Sequence, residues 1–308
     1  MNKVALIIIY NHQYNQNISI LEDLYCKRFS FIYHLMPFYE GDKENVIPVY
    51  ENSFYFQGYV AQGAKIFFNK SFTHYFFIAD DILLNPAINE TNFDKYFGIE
   101  NDTCYMPGAE LLQKSSNGYW MRYPYAYWYR VRQLGLEVEK LLPTREQAHA
   151  KLKSLNLLSQ PLYFHQVFRH NFEWKHLLSL RMMYYLVRFY LRKIMQGRKP
   201  LQFDYPFAHS YSDIFLVNAS SIKKFALYCG IFAAGKLFAE IALPTALALA
   251  SEKIVTDKDL TMRGMTMWTE KDYSALDKYN YNLEALLSDF PQDILYIHPI
   301  KLSKWIKK

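Results

Sequence analysis

Apolar residues fall along this chain in two patterns. Unbroken runs at Val4–Tyr10, Phe29–Leu35, Val46–Tyr50 and His74–Ile78 read as strands buried on both faces. Between them, Ile18–Cys26 and Phe54–Asn69 read as helices, and in the second Phe56, Val60, Ala64 and Phe67–Phe68 recur near the helical period. This alternation predicts an α/β fold with a mostly parallel, Rossmann-like central sheet flanked by helices, and ligands at the carboxyl ends of its strands. The turn after the first strand, Asn11-His12-Gln13-Tyr14-Asn15, has none of the glycines of a dinucleotide or P-loop site.

Further on, 101–135 reads as irregular and rich in aromatic residues, and 136–200 as a helical, basic insertion or lid. Within that insertion, a helix over Leu136–Leu142 stops at Pro143, and Thr144 caps another that runs to Leu155. Trp174–Gln196 reads as one long helix ended by Gly197. Asp213–Val217 is then a strand, Ser220–Leu227 and Lys236–Ala250 are helices, and Ile294–His298 is a last short strand. The whole of 1–308 reads as a single domain without repeats.

Composition sharpens this outline. With 51% hydrophobic and 21% charged residues, a large core is available and wholesale disorder is excluded. The formal charge of +6 suits phosphate-bearing partners or an anionic membrane surface, but the basic residues do not gather into a nucleic-acid motif. Cys26, Cys104 and Cys229 have no paired spacing, which points to a reducing, cytoplasmic setting. The run Val4–Ile9 is too short to span a bilayer, and His176–Met195 is interrupted by Arg181, Arg188, Arg192 and Lys193. Basic residues interleaved with aromatics over Trp174–Lys199, and again at Lys301, Lys304, Trp305, Lys307 and Lys308, predict peripheral contact with the inner face of the cell membrane.

Three places carry candidate chemistry. Asp80 and Asp81 close the apolar run His74–Ala79; paired carboxylates at a strand end repel unless a cation or ordered donors sit beside them. The plainer alternative is that one of them caps the next turn. Downstream, His298 ends another apolar strand and Lys301 follows three residues on. Glu240 is the lone charge in the apolar stretch Leu237–Ala250, where a carboxylate needs a partner or a raised pKa unless it sits on an exposed face.

Together these segments resemble the GT-A class of nucleotide-sugar glycosyltransferases, and Phe238–Thr245 resembles the bacterial enzymes that build surface polysaccharide and lipopolysaccharide. In that class an apolar strand ends in an Asp-x-Asp-type motif, a later helix carries an acid facing the acceptor, and a C-terminal His completes the metal and diphosphate site. The resemblance implies that Asp81 and His298 ligate a divalent cation, Mn²⁺ or Mg²⁺. It implies donor contacts from Tyr10, Asn11, His12, Asp80 and Lys301, and catalytic or acceptor roles for Glu240 and Asp213. Trp120, Tyr123, Tyr125 and Trp128 would stack on an acceptor sugar, with Arg122 and Arg130 holding an acidic sugar or phosphate. Residues 1–100 would form the nucleotide-sugar half, and 101–135 with 201–308 the acceptor and catalytic half. The implied partners are a nucleotide-sugar donor and a glycan or lipid-linked acceptor. A catalytically inactive glycan- or nucleotide-binding module and a metal-dependent phosphohydrolase are the rival readings.

Overall fold

The computed structural model describes residues 3–111, 122–157, 180–197, 199–200 and 202–305. The strands are β1 (Val4–Ile9), β2 (Phe31–Pro37), β3 (Val46–Val49), β4 (His74–Ala79), β5 (Leu83–Leu84) and β6 (Thr103–Tyr105). They continue as β7 (Glu110–Leu111), β8 (Ala208–His209), β9 (Ile214–Asn218), β10 (Lys253–Val255), β11 (Arg263–Thr266) and β12 (Ile294–His298). The main sheet has seven strands in the order β10-β6-β9-β4-β1-β2-β3. All run the same way except β9, which is antiparallel to both β4 and β6. The expected mostly parallel sheet is therefore mixed, and β12 lies outside it, in a three-stranded sheet ordered β11-β12-β5.

The reversal of β9 matters for the site. An antiparallel strand begins where its neighbour ends, so the register Ile78↔Ile214 sets Asp213 beside the carboxyl end of β4.

Strand alternation splits the core between the two faces of the main sheet. Along β1, Ala5, Ile7 and Ile9 point to one apolar cluster, while Val4, Leu6 and Ile8 point to the other. Helices α1 (Asn15–Tyr25), α2 (Phe56–Phe67) and α3 (Phe93–Tyr96) belong to the first hundred residues. After them come α4 (Arg122–Trp128), α5 (Arg145–Ser154), α6 (Leu180–Gln196), α7 (Ile222–Ala234), α8 (Ala239–Ala250), α9 (Glu270–Tyr273) and α10 (Leu283–Ser288). Buried residues of α2, α7 and α8 fill the first cluster; α1, α10 and the small sheet fill the second.

The basic insertion divides in two. Thr144 caps α5 in a reciprocal box with Gln147, as the sequence indicates, and Ala148 and Leu152 bury that helix in the body of the fold. The expected helix over Leu136–Leu142 is instead a run of bends and turns beginning with a Gln133↔Leu136 bridge, with Gly135 at φ 77°. Seven residues between a left-handed glycine and Pro143 are too few to nucleate a helix without a buried face. Conversely 122–128, expected to be irregular, is the helix α4, with Pro124 tolerated in its first turn. Helix α6 ends at Gln196 with Gly197 at φ 65°. Among the described residues, no helix is long and apolar enough to cross a membrane. Trp305, expected in a membrane-facing tail, is buried with its ring edge-on to Tyr281.

Candidate functional site

Two strand ends from different sheets meet where β4 stops. The Asp80 N–H donates to the Ile9 carbonyl at 2.9 Å and the Ala79 N–H to the Asp213 carbonyl at 2.7 Å, so the chain leaves β4 held between β1 and β9. The Ile300 N–H donates to the Asp81 carbonyl at 2.7 Å, which draws the end of β12 onto the same turn. As a result His298 Nε2 stands 3.3 Å from Asp81 Oδ1.

The two carboxylates differ in their surroundings. Asp80 is buried, with Oδ2 accepting from Asn17 Nδ2 at 3.2 Å and Oδ1 from the Asn11 N–H at 3.4 Å. Burial, then the charge of Asp81, push its pKa up to about 7 despite those donors. Asp81 Oδ1 is buried without an aligned hydrogen bond, so its contact with His298 is an ion pair by distance alone. Burial alone would lower the His298 pKa, but Asp81, Asp213 and Asp80 outweigh it and the net shift is upward.

A cavity of about 240 Å³ opens beside this pair, lined by Asn11, His12, Asn17, Asp80, Asp81 and the segment Ile300–Ser303. A larger one, of about 750 Å³, flanks the C-terminal segment and includes Tyr273, Tyr281, Pro299 and Trp305. Ile300 and Lys301 border both cavities. Asp81 and His298 thus bring a carboxylate oxygen and an imidazole nitrogen within 3.3 Å of each other, and Asp81 shares the smaller cavity with Lys301. Those donors suit a small divalent cation when water and substrate phosphate complete its shell. Among the described residues, no group of three or more His, Cys, Asp or Glu side chains is arranged to hold a metal ion.

No family model and no curated protein matches the chain. Among solved structures, it is similar to the X-ray structure of the mannosyltransferase Ktr4p from S. cerevisiae, at 13% identity and a TM-score of 0.36 over 84% of this chain and 70% of that one. A likeness of that size assigns no role to any residue.

The remaining expected site residues divide clearly. Asn11, His12 and Lys301 line the smaller cavity, but Tyr10 is buried in the core with its hydroxyl 2.8 Å from His34 Nδ1. Asp213 lies beside the β4 terminus, and the Glu240 carbonyl accepts from the Ser210 N–H at 3.1 Å, which seats the start of α8 against the loop leading to Asp213. Glu240 itself is half-buried in the first turn of α8, where the helix dipole favours a carboxylate. The aromatic segment is engaged in packing. Tyr125 stacks on Phe238 at 5.4 Å, and the Arg188 guanidinium covers Trp128 at 4.4 Å. Arg130 Nη1 donates to the Tyr127 and Tyr129 carbonyls at 2.8 and 2.7 Å, capping the end of α4. Trp120 and the side chains of Arg122 and Tyr123 lie outside the described residues.

Other aromatic residues stand at the site instead. The Met267 N–H donates to the His298 carbonyl at 2.8 Å, so Trp268 follows directly onto His298, ring edge to ring face at 5.8 Å. Trp268 stacks with Tyr211 at 6.0 Å, and both are substantially exposed, at 58% and 41%. The available signal was an alternating strand, Arg263–Met267, delivering a tryptophan to its end.

Proposed function

We propose that the chain is a glycosyltransferase that moves a sugar from a nucleotide-sugar donor to a glycan or lipid-linked acceptor of the cell surface. The observation that carries this reading is the convergence of Asp81 and His298, from separate sheets, where Asp81 lines a cavity that Lys301 also borders. Asp81 and His298 would hold a divalent cation, whose charge counters the charge developing on the departing diphosphate. Lys301 and His12 bind the phosphates from the cavity walls. Asn11 and Asn17 fix Asp80, whose partial protonation near neutral pH limits its repulsion of Asp81. The exposed face of Trp268 offers a flat apolar surface for a sugar ring beside the reacting centre. Glu240, at the start of α8, serves the acceptor hydroxyl as base or orienting group.

Incubation with a panel of nucleotide-sugars and divalent cations, with released nucleoside diphosphate followed by chromatography, tests the reading. Slow cation-dependent hydrolysis of one donor supports it. Binding of nucleoside diphosphate without any turnover would instead mark an inactive binding module, and release of inorganic phosphate a phosphohydrolase.

A further inference from the structure

Helix α6 presents an apolar face to solvent. Leu180, Met183, Tyr184, Val187, Tyr190, Leu191, Ile194 and Met195 recur at helical spacing and are all exposed, Leu180 and Met195 at 87% and 85%. At 1.5 Å per residue the helix is roughly 25 Å long, so this is a continuous stripe and not a scatter of single residues. Positions Arg181, Arg188 and Arg192 follow one flank of the stripe at intervals of seven and four residues. The Arg188 guanidinium lies over Trp128, which ties the helix to α4.

Charge identifies the occupant. Between Glu173 and Asp204 there is no acidic residue, while Lys175, Arg181, Arg188, Arg192, Lys193, Arg198 and Lys199 give that stretch +7. The rest of the chain holds the other 28 of the 35 Lys and Arg against all 29 Asp and Glu, a balance of −1. The positive charge of this protein is thus the charge of one segment. Helix α6 itself carries Arg181, Arg188, Arg192 and Lys193 and no acid, so a second copy packed through it would set like charges against each other, whereas an anionic lipid surface takes up both the apolar stripe and the cations.

We infer that α6 is a docking helix for an anionic membrane surface, lying in the interface plane with its apolar stripe among the acyl chains and with Arg181 and Arg192 serving the headgroups. This holds whether or not the site at Asp81 transfers a sugar, because it rests on different residues. Flotation of the full chain with phosphatidylcholine vesicles, with and without phosphatidylglycerol, is the test. The chain should be recovered with the anionic vesicles only, and released when NaCl is raised from about 50 to about 300 mM. The double variant Val187→Glu/Leu191→Glu should lose recovery while keeping its unfolding midpoint, since both side chains are exposed. Arg181→Gln/Arg192→Gln should weaken partitioning by roughly 25-fold, at about fivefold per cation. Equal recovery with neutral vesicles, or no recovery with either, would overturn the inference. So would a dimer in sedimentation that Val187→Glu/Leu191→Glu converts to monomer.

Discussion

His34 makes a sharp probe of the core beneath the site. It lies on β2, fully buried, with Nδ1 2.8 Å from the Tyr10 hydroxyl and Nε2 3.9 Å from Glu22 Oε1. Burial pushes its pKa down to about 4, against the upward pull of the Glu22 carboxylate. Because the unfolded value is about 6.5, the unfolded chain takes up the proton first as pH falls. Stability from this group is therefore complete above pH 6.5 and drains away between about 6.5 and 4. The full difference is on the order of 3 kcal/mol, of which about 2 kcal/mol falls between pH 7 and pH 5. His34→Asn keeps an acceptor for Tyr10 and removes the titrating ring, at a pH-independent cost of about 1–2 kcal/mol for lost volume. Urea unfolding of both proteins at pH 7, 6 and 5 gives the answer. His74, also shifted down by burial, and Asp80, shifted up, are present in both and cancel. The variant should be the less stable at pH 7 and should draw level with or pass the parent by pH 5. Parallel stability curves across that range would refute the reasoning.

Three further outcomes are expected. Glu240→Gln should leave the melting temperature within a few degrees of the parent and reduce sugar transfer by about 10²–10⁴-fold; full transfer activity would remove Glu240 from the acceptor site. Trp268→Ala should barely change stability, because the ring is 58% exposed, and should raise the acceptor KM by about tenfold; an unchanged KM would leave the ring without a role in binding. Arg130→Ala should cost about 1–2 kcal/mol in urea unfolding, through loss of the carbonyl cap on α4, with transfer by the folded protein unaltered. A transfer defect without loss of stability would instead give Arg130 a ligand-binding role.

The long buried strands were legible because their sequences are continuous apolar runs. β1 and β4 are buried at every position, and so are β9 and β12. The cap at Thr144 and the stop at Gly197 were legible for local reasons, since each is decided within a few residues. What the sequence did not reveal is set by distant pairing. β5, β7 and β8 are two residues each and exist only because a partner strand lies alongside. The meeting of Asp81 and His298 was expected from the resemblance, with both strands placed in one mostly parallel sheet. It arises differently, through the Ile300–Asp81 backbone bond that joins a second sheet to the first. The aromatic cluster around Tyr125 and Trp128 had the composition of a sugar platform, but composition does not say which ring faces are already covered. Trp268 drew no attention because its neighbour His298 is 30 positions away.

The proposed cation and diphosphate site shared by Asp81 and His298 is reached most directly by calorimetry. Uridine and guanosine diphosphate should be titrated into the parent, Asp81→Asn and His298→Ala, each with Mn²⁺ and with chelator. The prediction is binding by the parent only when the cation is present, with affinity lost in Asp81→Asn and weakened by at least about tenfold, or 1.4 kcal/mol, in His298→Ala. Unchanged, cation-independent affinity in both variants would contradict it.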